Sequence, residues 1–152
     1  MANFKLIPNL NLFFPCEDAS VNVSHTTGDL QYGWWEIRKP LYHVHMPAGI
    51  TKGFGTPELC VYYQLSNGAG DYNLLVEFYQ LDLAEPKKTK KLMWSEPITV
   101  HCENELAVIE DIVVLKKVPF PKPGQYQFVM KESGQVLPGG ECYLRVFAGE
   151  PQ

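Results

Sequence analysis

The chain has 152 residues, 45% of them hydrophobic and 12% aromatic, which is the commonest domain size and enough to bury a sizeable core. Its formal net charge is -4 with a pI of about 5.5, and its one lysine-rich run, Lys87, Lys88, Lys90 and Lys91, is flanked by Glu85 and Glu96. A nucleic-acid groove needs a concentrated basic surface, so that partner class is excluded, and no run approaches the roughly 18 apolar residues of a membrane span.

Met1 to Pro8 reads as a leader or edge segment. Pro8, Asn9 and Asn11 interrupt any apolar signal-peptide core, so a soluble, cytoplasmic protein is expected. Short strand signals follow at Asn9 to Phe14 and Ser20 to Ser24, then a Thr27-Gly28-Asp29 turn, Leu30 to Arg38, and Leu41 to Met46. Glu58 to Leu65 and Asn73 to Leu83 are stronger, and the glycine-rich stretch Ser66 to Asp71 between them predicts a β-hairpin. Lys87 to Lys91 reads as a hairpin loop carrying gatekeeper lysines. Lys91 to Ser95, Ile98 to His101, Ala107 to Val118, Gln125 to Lys131 and Glu141 to Phe147 complete the set. Such spacing, with no long helical periodicity and no internal repeat, predicts one domain over 1–152. The expected fold is all-β, a single antiparallel β-sandwich, immunoglobulin-like or C2-like, of about 8–10 strands.

Ala107 to Met130 is the most informative segment. Period-two alternation places Val108, Ile112 and Val114 on one side and Ile109, Val113 and Leu115 on the other. Both sides are apolar, which predicts a central strand. Pro119, Pro121 and Pro123 cannot donate to a ladder, so Val118 to Gly124 should run as a stiff connector ending in a Pro123-Gly124 turn. Tyr126, Phe128 and Met130 then alternate with Gln125 and Gln127, the pattern of one buried and one wet face.

The order C-x-D-A-x-V near Cys16, Thr-Gly-Asp-Leu near Thr27, P-x-L-x-V-Y-x-Q-L from Pro57 to Leu65, Trp94-Ser95-x-Pro97, and V-P-F-P-x-P-G-x-Y from Val118 to Tyr126 resembles a family of small bacterial proteins known only as a domain of unknown function. The resemblance covers nearly the whole chain. It implies a single β-sandwich in a prokaryotic, cytoplasmic setting and brings no activity or site residues. The leader Met1 to Pro8 and the Lys87 to Lys91 insertion depart from that pattern.

Chemical motifs are sparse. His43 and His45 stand two apart and would share one strand face, as two imidazole ligands must, but a third ligand would have to come from His101, Cys102 or Glu58, without diagnostic spacing. They are weak metal candidates, and no metal or other cofactor is expected. Ser24-His25 lacks a nucleophile elbow, Gly53-Phe54-Gly55 and Gly68-Ala69-Gly70 lack the lysine and helix of a phosphate loop, and Glu103, Glu105, Glu110 and Asp111 read as a solvated acidic turn. Cys16, Cys60, Cys102 and Cys142 are too widely spaced for a zinc site or a disulfide framework and are expected to be reduced.

The least bland feature is the pair Tyr32 and Trp34, alternating on β-strand spacing with Trp35 and Ile37 and flanked by Glu36 and Arg38. Large rigid rings beside charges suit a contact surface. The expected role is therefore non-catalytic. It is a binding or structural module acting through contacts with a protein partner or by self-association, with Tyr32, Trp34, Glu36 and Arg38 as binding residues. A small-ligand or carbohydrate binder using Tyr32 and Trp34, and a metal-dependent enzyme using His43 and His45, are the alternatives.

Overall fold

The computed structural model describes residues 6–25, 31–40, 43–46, 54–55, 59–82, 89–115, 119–120 and 122–148, with side chains for 6–16, 59–82, 89–115 and 122–147. These residues form β1 (Asn9–His25), β2 (Gln31–Pro40), β3 (His43–Met46), β4 (Phe54–Gly55), β5 (Leu59–Ser66), β6 (Gly70–Asp82), β7 (Thr89–Cys102), β8 (Ile109–Leu115), β9 (Pro119–Phe120), β10 (Gly124–Glu132) and β11 (Gln135–Ala148). Among the described residues there is no helix. A four-stranded sheet runs β2-β1-β5-β8, a five-stranded sheet runs β3-β11-β10-β6-β7, and β4 pairs with β9 as a two-residue clip.

Strand alternation builds the sandwich. Val61, Tyr63 and Leu65 of β5 and Val113 and Leu115 of β8 meet Leu74, Val76 and Phe78 of β6, Tyr126, Phe128 and Met130 of β10, and Leu144 and Val146 of β11 in one apolar cluster. Tyr126, Phe128 and Met130 are wholly buried, as the Gln-separated pattern predicts. The Phe78 ring stacks on Tyr126 at 5.4 Å and tilts against Phe128 at 4.6 Å, so aromatics from neighbouring strands fill the centre of the layer.

Several expectations change with the topology. The chain crosses from one sheet to the other between β5 and β6, so the glycine-rich stretch is an arch and not a hairpin turn. The reason is local. Asn67 and Gly70 take positive φ, the Tyr72 hydroxyl accepts from the Ala69 N–H at 2.9 Å, and a Cβ on Gly68 would press on Cys102 Sγ at 3.0 Å. That same hydroxyl donates to the Leu6 carbonyl at 2.6 Å and so pins the segment entering β1.

β8 is an edge strand and not a central one, since it pairs only with β5 among the described residues. Its two apolar faces have separate causes. Val113 and Leu115 enter the main core, while Ile112 packs on a second small cluster of Cys16, Cys60 and Tyr62 on the outer face of the sheet. The edge is guarded at its middle, where the Ile112 N–H donates to Asp111 Oδ1 at 2.8 Å. β7, the edge of the other sheet, carries Lys90, Lys91 and Pro97 instead. Among the described residues the antiparallel expectation holds for every pair but one: β3 joins β11 in parallel, because residues between β3 and β11 complete the rest of the sandwich before β11 returns beside it.

The β8-to-β10 connector, in which 116–118 and 121 lie outside the described residues, crosses between sheets. Its exit is fastened by a tyrosine corner, with Tyr126 Oη donating to the Lys122 carbonyl at 2.7 Å and Gly124 at φ 148°. β10 turns into β11 through Ser133-Gly134, both at positive φ, as a two-residue hairpin of primed type requires.

Candidate functional site

The site is best sought on the outer face of the five-stranded sheet, where ladder register lines side chains into rungs. One rung runs Leu92, Tyr79, Gln127, Tyr143 and the next Leu81, Gln125, Arg145, because these residues are mutual partners across β7, β6, β10 and β11. The expected wet face of β10 is instead covered. Gln127 is buried and donates from Nε2 to Tyr143 Oη at 3.2 Å.

Beside that rung Glu77 is buried against Lys131, with Oε1 and Nζ 2.7 Å apart. This ion pair is the close contact of Oε1, which is enclosed from solvent. Burial alone would raise the Glu77 carboxyl, but the Lys131 ammonium, the Tyr79 hydroxyl and the charge of Lys90 together hold it below its ordinary value. The contact with Glu77 in turn holds Lys131 above its ordinary value, against a smaller effect of burial. Tyr79 is raised, by burial first and by Glu77 second, and its ring carries the Lys90 ammonium at 4.4 Å. A charged, occluded carboxylate of this kind is a poor general acid. The cluster stiffens a surface.

Around this stiff centre lies an accessible rim. Tyr143 is 51% exposed, Leu92 49% and Phe147 37%, and the Arg145 guanidinium stacks over the Phe147 ring at 4.9 Å. Arg145 also borders a shallow cleft of about 420 Å³ with Leu81, Asp82, Lys122 and Gly124 at the foot of the proline arch.

The residues nominated from sequence fall on two different sheets. Tyr32, Trp34, Glu36 and Arg38 lie on β2, in backbone register with Ser24, Asn22, Ser20 and Asp18 of β1, and their side chains are outside the described residues. His43 and His45 lie on β3, in register with Arg145 and Phe147, and their side chains are likewise outside them. Glu58 is also outside the described residues, whereas His101 faces solvent with Asp71 at 2.6 Å and Cys102 is buried. Among the described residues no three His, Cys, Asp or Glu side chains converge as a metal site. No helix among them is long and apolar enough to cross a membrane.

Sequence reasoning missed Tyr143, Arg145 and Phe147. The signal was present in ECYLRVFA, but both of its faces carry apolar groups, so alternation alone could not say which side was outside. The Glu77–Lys131 pair had no local signal, since its members come from different strands.

No family model matches the chain, and no curated protein matches it. Solved structures similar to it include a β-glucosidase from Listeria innocua in complex with gluconolactone, at 11% identity and a TM-score of 0.43, covering 88% of this chain and 16% of that one. A β-glucosidase from Erythrobacter marinus is similar at 10% identity and a TM-score of 0.40, over 89% of this chain and 15% of that one. The chain thus spans about one sixth of the length of these enzymes. At such low likeness neither their activity nor their substrates carry over.

Proposed function

We propose that this chain is a non-catalytic, cytoplasmic binding module that docks a protein partner on the outer face of its five-stranded sheet. The observation that carries the reading is the exposed stripe of Tyr143, Arg145 and Phe147, with arginine stacked on the aromatic ring. Tyrosine, phenylalanine and arginine over a preordered backbone are the composition of interface anchors, because they bring area at small entropy cost. Lys90 and Arg145 make the rim cationic, so the partner is a protein presenting carboxylates around an apolar centre.

The test places a photo-crosslinking residue at exposed position 141, beside the stripe, in cells and titrates the captured partner, made separately, against purified protein. Changing Tyr143 and Phe147 together to Ser should weaken that binding by about 1,000-fold, at about 2 kcal/mol per anchor, while leaving the β-sheet circular dichroism spectrum unchanged. Equal binding by the double variant refutes this face, and a matching loss in a Tyr32→Ser, Trp34→Ser variant moves the site to β2. Sedimentation equilibrium reads self-association directly.

A further inference from the structure

Cys16 on β1 and Cys60 on β5 are opposed partners in an antiparallel ladder, and both belong to the buried cluster with Tyr62 on the outer face of the four-stranded sheet. Opposed residues in such a pair have Cα atoms about 4.5–5.5 Å apart, inside the roughly 4.4–6.8 Å that a disulfide spans, and their side chains leave the same face. Both are thiols here. The remaining two cysteines have no such relation. Cys102 lies on β7 and Cys142 on β11, strands separated by β10 and β6 in the other sheet.

We propose that Cys16 and Cys60 are a reversible oxidation site, closing to an intrachain disulfide by exchange with a small-molecule disulfide such as oxidised glutathione. One cysteine loses its proton to solvent and its thiolate attacks a glutathione sulfur, breaking that S–S bond and releasing one reduced glutathione. The second cysteine, deprotonated in turn, attacks the protein sulfur of the mixed disulfide and expels the second. Two protein thiols are oxidised, one glutathione disulfide is reduced, and the thiol protons end on the two glutathiones.

The position gives the bond a consequence. Cys16 is where β1 hands its pairing from β5 to β2, with Cys60 on one side and Pro40 on the other. A bridge there would tie the β1–β2 arm to the sheet. Cys16 is 0% exposed and Cys60 4%, so the exchange proceeds through local opening past half-buried Phe14 and Ile112.

The experiment incubates the full chain with oxidised glutathione, quenches in acid, alkylates under denaturing conditions and maps peptides without reduction. A linked Cys16–Cys60 peptide should dominate, with two sites alkylated and a melting temperature raised by about 5–10 °C, reversed by dithiothreitol. A Cys102→Ala, Cys142→Ala variant should still lose two thiols, and Cys16→Ala should yield only a glutathione adduct at Cys60. Four alkylated sites at every time point, or a bridge through Cys102 or Cys142, overturns the proposal. Should the double variant fail to fold, the wild-type map decides alone.

Discussion

At the scale of single residues, backbone conformation and not side-chain chemistry sets the strictest demands. Gly124 stands at φ 148°, with nothing within 4 Å of where a Cβ would sit, so a substitution there is strained by the backbone alone. Gly124→Val is expected to lose about 1–3 kcal/mol in denaturant unfolding, and an unchanged midpoint would mean the turn relaxes. Gly139 is a different case, because a Cβ on it would come within 2.5 Å of the Leu10 carbonyl. Pro123-Gly124 was legible in sequence as a turn because proline and glycine act locally. The need for glycine at 139 was not, since the obstructing atom belongs to β1, far away along the chain.

At the scale of elements, rungs across the ladders join residues that no strand pattern connects. Lys131 of β10 faces Glu77 of β6, and the carboxyl's depressed folded value means its contribution is present above its ordinary value of 4.5 and is lost as pH falls through the folded value. Lys131 is raised above 10.5, so its contribution is present below that value and is lost as pH rises through the folded one. Lys131→Met should therefore cost about 1–3 kcal/mol at pH 7, by leaving a buried carboxylate without its cation. Well below the ordinary carboxyl value of 4.5 the difference from wild type should narrow, because protonated Glu77 no longer needs the ammonium. Equal differences at both pH values in urea titrations would show that Lys131 acts through its methylene stem and not its charge. The alternation of β8 told which residues share a face, and Ile109, Val113 and Leu115 do pack toward the core together. It could not tell centre from edge, because an outer cluster and a solvent edge both tolerate apolar residues.

At the scale of the whole molecule, one core among the described residues joins both sheets through β5, β6, β8, β10 and β11, so the two sheets are expected to unfold together. Far-ultraviolet circular dichroism and near-ultraviolet aromatic signals should then trace coincident transitions, and Phe128→Ala should shift both by the same free energy, about 3–5 kcal/mol. Transitions that separate would show two cooperative units. The sequence by itself determined the all-β class, the buried side of β10 and the Pro123-Gly124 turn, because alternation and fixed φ are properties of neighbouring residues. Only the tertiary structure decided that the glycine-rich stretch crosses between sheets, that β8 is an edge, that β3 runs parallel to β11, and that Cys16 meets Cys60. Those relations depend on which distant strands pair, and that pairing is set by how two apolar faces close on one core.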